Sequence, residues 1–180
     1  IYSIRELQAF LQIVREKNAY QYPIHIKVET GMHRHGFVAQ ELDGLVAILK
    51  HTNSVEVKSI FSHLSSSDMD IYQDFTLRQM ELFEKSSTYI KEQLQIQPIL
   101  HILNTSGIFN YASYQMDMVR LGIGLYGIGN DVDEMRQLRN VGTLKTRIMQ
   151  VKEIDTAESV GYGRRFRAEH PTKIATVPIG

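Results

Sequence analysis

The spacing of apolar residues changes repeatedly along this chain, and this alternation limits the possible folds more than any other feature. Helical spacing gives way to short β-branched runs and then returns. The predicted elements are, in order, helix 4–17, strand 23–29, helix 39–51, strand 55–63, helix 70–95, strand 98–104 and strand 123–128. Strands separated by helices usually pair in parallel through right-handed crossovers. The pattern therefore predicts an α/β fold. A capping box at Ser3 and Glu6, in which each side chain takes the other's backbone N–H, is expected to open the first helix.

The character of the sequence changes near residues 138–142. Beyond this point, Thr143 to Ile154 form a long β-rich run with no helical pattern, and Thr172 to Ile179 form another. We therefore predict two domains, an α/β domain over 1–138 and the beginning of a β domain over 139–180.

Charge and composition exclude several classes of protein. Twenty basic and twenty acidic residues cancel, so neither a nucleic-acid partner nor a membrane-surface partner is predicted. The chain has no cysteine, which rules out disulfides and thiolate chemistry. No apolar run approaches the roughly 20 residues that span a bilayer. The first residue is not Met and no signal peptide precedes it, so a cut chain from a cytoplasmic protein is expected.

The segment GIGLYG, at 122–127, matches the pattern G-x-G-x-x-G of dinucleotide-binding proteins. In those proteins an acidic residue follows about 20 positions later, and the motif opens a helix. The residues around position 142 here read NVGTLKTR, with no Asp or Glu. The dinucleotide interpretation therefore fails, although small residues beside a phosphate remain a reasonable hypothesis.

Polar residues follow the predicted strands where the working residues of an α/β barrel lie. They are Lys27 to Arg34, His63, Asn104 to Ser106, and Arg120 to Ile123. Each group has an ordinary alternative: Lys27 could extend from a sheet edge, His63 could bond loop backbone, and the segment after 103 could be a simple turn. The alternating His33 and His35 have no third ligand at a useful spacing, so no metal site is predicted.

Taken together, these residues form a family pattern. The motifs that form this pattern are KVETGMHRHGF (27–37), SH (62–63), HILNTSG (101–107), DMVRLGIGLYG (117–127), SVGYG (159–163) and the closing VPIG. In order and spacing they resemble the pyridoxal-phosphate-dependent alanine racemases of fold-type III. The resemblance implies the second half of a (β/α)8 TIM barrel followed by the start of a C-terminal β domain. The family's Schiff-base lysine lies in a motif of the type KANAYGHG, which does not occur here, so the isolated chain is expected to be inactive.

The resemblance also implies roles for residues on the substrate side of the site. Lys27 matches a lysine that is often carbamylated and orients Arg34. Arg34 matches an arginine near the cofactor ring oxygen and the substrate carboxylate. His63 matches a histidine that helps to place Arg120.

Cofactor contacts are implied in the same way. Asn104 and Thr105 match the phosphate-binding turn, with Thr105 in place of the usual Ser. Gly122 and Ile123 match residues whose backbone N–H groups hold the phosphate. Arg120 matches the arginine that faces the pyridine nitrogen and keeps it unprotonated, because arginine offers no acceptor.

Tyr162 matches the catalytic tyrosine that works on one face of the alanine α-carbon. In the family this tyrosine reaches the partner subunit's barrel, so the resemblance implies a homodimer with shared active sites. The parent enzyme would interconvert L- and D-alanine for peptidoglycan synthesis.

Two other functions stay open at this point. One is a related racemase for an amino acid with a different side chain. The other is a non-catalytic barrel that binds a phosphate or cofactor, although such a protein would not need Tyr162. Some family members are fused to a cell-wall ligase domain, and these residues do not decide whether this protein is.

Overall fold

The computed structural model describes residues 1–179 and divides into two compact units. The first unit covers residues 1–141, and the second begins at Gly142. Gly180, the last residue of the VPIG motif, lies outside the described residues.

Helices and parallel strands alternate in the first unit, as predicted for an α/β fold. The helices are α1 (Ile4–Glu16), α2 (Leu42–Lys50), α3 (Gln73–Leu94), α4 (Thr105–Asn110) and α5 (Val132–Gln137). The strands are β1 (Tyr22–Lys27), β2 (Val55–Phe61) and β3 (Ile99–His101). They form a parallel sheet in the order β1-β2-β3. Short 3-10 turns at Ala39–Glu41 and Asp70–Tyr72 lead into α2 and α3.

The cap of α1 differs in part from the capping box that the sequence predicts. The hydroxyl of Ser3 accepts the N–H of Glu6 at 3.2 Å, as expected. The Glu6 carboxylate instead accepts the N–H of Tyr2 at 2.6 Å, one residue before the cap. Both contacts satisfy backbone donors at the helix start, so the helix still begins where its sequence indicates.

The hydrophobic core lies between the sheet and the helices. Its fully buried members come from α1, β1, α2, β2, α3 and the residues just after β3; they include Leu7, Ile26, Leu45, Ile60, Met80, Phe83, Ile90 and Ile102. Side chains alternate between the two faces of a strand. Residues adjacent in sequence to these core positions therefore point to the other face, where the polar strand residues lie.

The strand register places two layers of residues side by side. Lys27 pairs with Phe61, and Phe61 pairs with His101, at the carboxyl ends of the strands. One layer below, His25 pairs with Ser59. Register partners in a parallel sheet share a face, so the sheet itself assembles these side chains.

The predicted strand over 123–128 is wrong. Ile123–Tyr126 forms a 3-10 turn, and it ends at Gly127 with a left-handed φ of 79°. Gly124 packs so closely that an added Cβ would lie 2.8 Å from both Leu121 Cδ1 and Thr105 Cγ2. The apolar residues between these glycines mimic a buried strand, but the close packing and the left-handed Gly127 turn the chain instead.

The second unit is built of antiparallel pairs. β4 (Gln150–Ile154) pairs with β7 (Thr172–Thr176), and β5 (Ser159–Val160) pairs with β6 (Phe166–Arg167). The run predicted as β over 143–154 becomes a strand only from Gln150, where pairing with β7 satisfies its backbone groups. Across residues 1–179, no helix combines the length and apolarity that crossing a bilayer requires.

Candidate active site

Phe61 is the centre of the layer at the carboxyl ends of the strands. Its ring stacks on His101 with the centroids 5.1 Å apart and the planes 8° apart. Lys27 Nζ lies 5.6 Å from the ring centroid, and Arg120 Cζ lies 5.3 Å from it. The ring's quadrupole attracts both cations. It thereby brings two positive groups to one place.

Backbone carbonyl groups fix the guanidinium of Arg120. Nη2 donates to the carbonyl of Ser62 at 2.5 Å and to that of Ile102 at 3.4 Å, and Nη1 donates to the carbonyl of His101 at 3.4 Å. These carbonyls lie at or just beyond the ends of β2 and β3. The strands that form the sheet therefore also determine where this cation lies.

Two imidazoles complete the surroundings of Arg120. Nη1 lies 2.5 Å from Nδ1 of His101, and Nη2 lies 3.0 Å from Nδ1 of His63. Arginine only donates hydrogen bonds. Each Nδ1 must therefore be an unprotonated acceptor, and each neutral ring carries its proton on Nε2.

Electrostatics agree with these neutral rings. Burial lowers the pKa of His63 to about 4, and the charges of Arg120, Arg34 and Lys27 act in the same direction. Burial and the charge of Arg120 likewise lower the pKa of His101 to about 4. Both histidines are thus neutral at pH 7, the state that their contacts with Arg120 require.

Lys27 stands at the end of β1 in a positive field. Burial lowers its pKa, and Arg34 and Arg120 lower it further, while Glu29 opposes them. A lysine with a lowered pKa is more often a free amine, which is the nucleophilic form. This chemistry fits the modification that the family resemblance implies for Lys27.

The loop that carries Arg34 is closed at its base and organised by Glu29. Phe37 N–H donates to the carbonyl of Lys27, and Glu29 N–H donates to the carbonyl of Phe37, each at 2.9 Å. The Glu29 carboxylate accepts N–H groups of Gly31 and Arg34. Burial raises the pKa of Glu29, but these loop N–H groups outweigh it and leave the pKa below its usual value. Arg34 itself is exposed.

A cleft of about 350 Å³ adjoins Arg120 and His63. Its walls include Thr105, Gly122 and Ile123. Thr105 Oγ1 accepts the N–H of Gly122 at 3.1 Å and that of Gly124 at 3.2 Å. Ile123 begins the 3-10 turn, so its N–H has no partner within that turn. The predicted phosphate-binding positions thus share one cleft, although the Gly122 N–H is turned toward Thr105.

Asn104 also lines the cleft, but other contacts use its side-chain amide. Its Oδ1 accepts Gly107 N–H at 3.0 Å and the Ser67 hydroxyl at 2.7 Å. Its Nδ2 donates to the carbonyl of Leu64 at 3.2 Å. Asn104 is therefore the N-cap of α4, and it positions Thr105.

Family models match most of the chain. The model for "Alanine racemase, N-terminal domain" matches residues 1–130, and the one for "Alanine racemase, C-terminal domain" matches residues 141–180. The chain belongs to the alanine racemase family.

Curated relatives agree with this assignment. Alanine racemase 1 of Oceanobacillus iheyensis is 32% identical over 183 residues, a match that covers 100% of this chain and 48% of the relative. An alanine racemase of Fusobacterium nucleatum is 36% identical over 161 residues, covering 87% of this chain and 43% of the relative. The chain therefore spans about half the length of the alanine racemases that it matches.

Solved alanine racemase structures share the fold. The enzyme from D-cycloserine-producing Streptomyces lavendulae matches with a TM-score of 0.84 at 23% identity, covering 100% of this chain and 48% of that one. The Bartonella henselae enzyme, solved with covalently bound pyridoxal phosphate, matches with a TM-score of 0.68 at 26% identity. The match covers 96% of this chain and 46% of that one. The chain thus has the fold of half a barrel with the start of the C-terminal β domain.

Tyr162, the remaining residue that the alanine racemase resemblance singles out, lies in the second unit. It begins a 3-10 turn at Tyr162–Arg164, between Gly161 and Gly163, which both have left-handed φ angles. Its side chain is fully exposed. The other predicted site residues lie in the first unit.

Among residues 1–179, no three His, Cys, Asp or Glu side chains lie close enough together to hold a metal.

Sequence reasoning missed two members of the candidate site, Phe61 and His101. Both lie inside strands, where an aromatic or a histidine is usually part of the packing. The available clue was the register, because both fall in the same layer as Lys27 once the strands are aligned. His101 is the more important omission, since it contacts Arg120 directly.

Proposed function

We propose that the full-length protein is a pyridoxal-phosphate-dependent alanine racemase that interconverts L- and D-alanine. The observation that carries the proposal is the placement of Arg120. Two neutral imidazoles and three backbone carbonyls hold its guanidinium beside a cleft that contains Thr105, Gly122 and Ile123. The D-alanine would serve peptidoglycan synthesis in the cytoplasm.

The donor set of the cleft fits the phosphate of the cofactor. The Thr105 hydroxyl and the N–H of Ile123 are suited to phosphate oxygens, and clustered backbone N–H groups are a common way of binding anions. The absence of a side chain at Gly122 leaves the backbone open to close approach. Binding would require the Gly122 N–H to turn from Thr105 toward the phosphate or to be shared between them.

Arg120 would face the ring nitrogen of the cofactor. When bound, pyridoxal phosphate withdraws electron density from the α-carbon of an amino acid. Arg120 would limit that withdrawal, because its guanidinium can donate a hydrogen bond to the ring nitrogen without protonating it. By limiting the withdrawal, Arg120 would favour return of the proton to the α-carbon, and therefore racemisation, over side reactions.

Tyr162 would move the proton on one face of the α-carbon. An ordinary tyrosine has a pKa of about 10, so it needs positive charge nearby to act as a base. Its complete exposure in this chain is consistent with a side chain that acts in a neighbouring subunit. We therefore propose a homodimer with shared sites. Arg34, supported by Lys27, would bind the substrate carboxylate.

Racemisation by the purified full-length protein tests this function. With pyridoxal phosphate and L-alanine, we expect D-alanine to accumulate until the two enantiomers are equal. Tyr162→Phe should lower the rate by roughly 10²–10⁴-fold, the usual contribution of one proton-transfer group. Exchange of the α-proton with solvent should persist better from the enantiomer whose proton the opposite base removes.

Tyr20→Phe is the matched control, because Tyr20 is also exposed but lies in the first unit. This variant should keep the wild-type rate. A full-length protein that binds the cofactor but leaves L-alanine unchanged would support the non-catalytic alternative. Faster turnover of another amino acid would instead support a racemase of different specificity.

A further inference from the structure

A line of hydrogen bonds runs from Arg120 across all three strands of the sheet. Arg120 Nη1 lies 2.5 Å from His101 Nδ1, and His101 Nε2 lies 3.2 Å from Ser59 Oγ. Ser59 Oγ in turn lies 2.7 Å from His25 Nδ1. The line thus connects β3 to β2 and β2 to β1. Neither Ser59 nor His25 touches the cleft that is proposed to bind the cofactor.

The donor-only guanidinium of Arg120 fixes the direction of the first two bonds. Arg120 can only donate, so His101 Nδ1 accepts and the single proton of this neutral ring is on Nε2. His101 Nε2–H then donates to Ser59 Oγ. The Ser59 hydroxyl has a second lone pair and its own hydrogen, so the tautomer of His25 sets the direction of the bond between Ser59 Oγ and His25 Nδ1. In either case Ser59 Oγ is the acceptor for the Nε2–H of His101.

We propose that Ser59 is a positioning residue that holds the His101 ring with Nδ1 toward Arg120. His101 is 5% exposed and Ser59 is 1% exposed, so water does not readily replace this hydroxyl. Without Ser59, the Nε2–H of His101 would be buried with no acceptor, a costly state that a ring flip or local opening relieves. Either change would disturb the contact with Arg120. The orientation of His101 rests on the contacts alone, whereas its effect on catalysis rests on the proposed function.

Nitrogen-15 spectra of the histidine rings test the orientation in the full-length protein. In the wild type, His101 should be wholly in the Nε2–H form, with a slowly exchanging Nε2 proton. In Ser59→Ala, that proton signal should disappear through exchange, or the two ring nitrogens should shift toward tautomer averaging. Ser59→Thr keeps the hydroxyl and should retain the wild-type pattern. The His101 signals are assigned with a His101→Gln variant.

Ser87→Ala is a matched control, because Ser87 is also 1% exposed and its hydroxyl donates to the carbonyl of Glu84, within α3. It should leave the His101 signals unchanged. If Ser59→Ala does not fold, Ser59→Cys, with a weakly hydrogen-bonding thiol, should show the same loss. Unchanged His101 signals in the folded Ser59 variant would overturn the proposal.

Activity provides a separate readout. If the protein is a racemase, Ser59→Ala should lower kcat by about tenfold with little change in KM, as expected when support for a working group is lost. Ser59→Thr should recover most of this loss. A wild type without racemase activity would refute the proposed function, but the ring spectra would still decide the role of Ser59.

Discussion

Nη2 of Arg120 lies 3.0 Å from Nδ1 of His63, and this contact exists only while the imidazole is neutral. If His63 Nδ1 were protonated, its N–H would face the N–H of Arg120 Nη2, and neither group could accept a hydrogen bond. The pairing therefore links the arrangement of a permanently charged side chain to the protonation state of its neighbour.

Acid should destabilise the fold through this pairing. The pKa of His63 is about 4 in the folded chain and about 6.5 when unfolded, and His101 behaves in the same way. Between these values the unfolded state binds more protons, so the free energy of unfolding falls as the pH falls from 6.5 toward 4. Urea unfolding at a series of pH values measures this change. His63→Gln should reduce the slope, and a slope equal to that of the wild type would contradict the assignment.

Replacing Thr105 with Val should weaken both the fold and the cleft. Val preserves the shape but removes the oxygen that accepts the N–H groups of Gly122 and Gly124. Leaving a buried donor unpaired costs about 1–3 kcal/mol. The affinity for pyridoxal phosphate, measured by fluorescence titration, should fall as well. Thr105→Ser is the control and should restore both properties; equal affinity in the Val and Ser variants would show that the hydroxyl plays no part in binding.

Gln79 of α3 should be important for stability, although it does not line the candidate cleft. It is 1% exposed, accepts the N–H and hydroxyl of Ser65, and donates to the carbonyl of His63 and the hydroxyl of Thr30. Gln79→Leu should lower the free energy of unfolding by at least about 1–3 kcal/mol, because it leaves buried polar groups unpaired. Gln12→Leu, on the exposed face of α1, should stay within about 0.5 kcal/mol of the wild type. Similar losses in the two variants would argue against a special role for Gln79.

Lys27 should react with carbon dioxide. Its neutral amine would form a new N–C bond and release one proton, giving a carbamate anion in the positive field of Arg34 and Arg120. Carbon-13 bicarbonate should therefore produce a carbamate resonance that Lys27→Arg abolishes. Lys145→Arg is the control, because Lys145 is exposed in the second unit, and this variant should keep the signal. A resonance that survives in Lys27→Arg would place the modification elsewhere.

The sequence predicts the order of helices and strands well where one periodicity holds for a whole element. The first three strands and their helices are examples, because core residues such as Leu7, Ile26 and Phe83 repeat at the spacing of their element. The prediction fails at Ile123–Tyr126, where apolar residues alternate with glycines and the contact with Thr105 decides the conformation.

The same limit applies to the site. The family motifs identify Lys27, Arg34 and Arg120, since these residues lie in distinctive local patterns. They do not identify His101 as a neighbour of Arg120, or Ser59 as a neighbour of His101, because the strand register creates those contacts. Contacts between residues distant in sequence become visible only when the strands are paired.

The tight packing of Gly124 against Thr105 means that these two positions cannot diverge independently. Any side chain at 124 would meet the threonine methyl and Leu121 Cδ1, each at 2.8 Å. Leu121 is exposed and its side chain can move away, so such a substitution requires a smaller residue at 105 or a displaced turn. Random mutagenesis of both codons, with selection for a folded product, should recover replacements of Gly124 mainly in genes that also encode Ser or Gly at 105. Substitutions at the two positions would then occur together, although 18 codons lie between them.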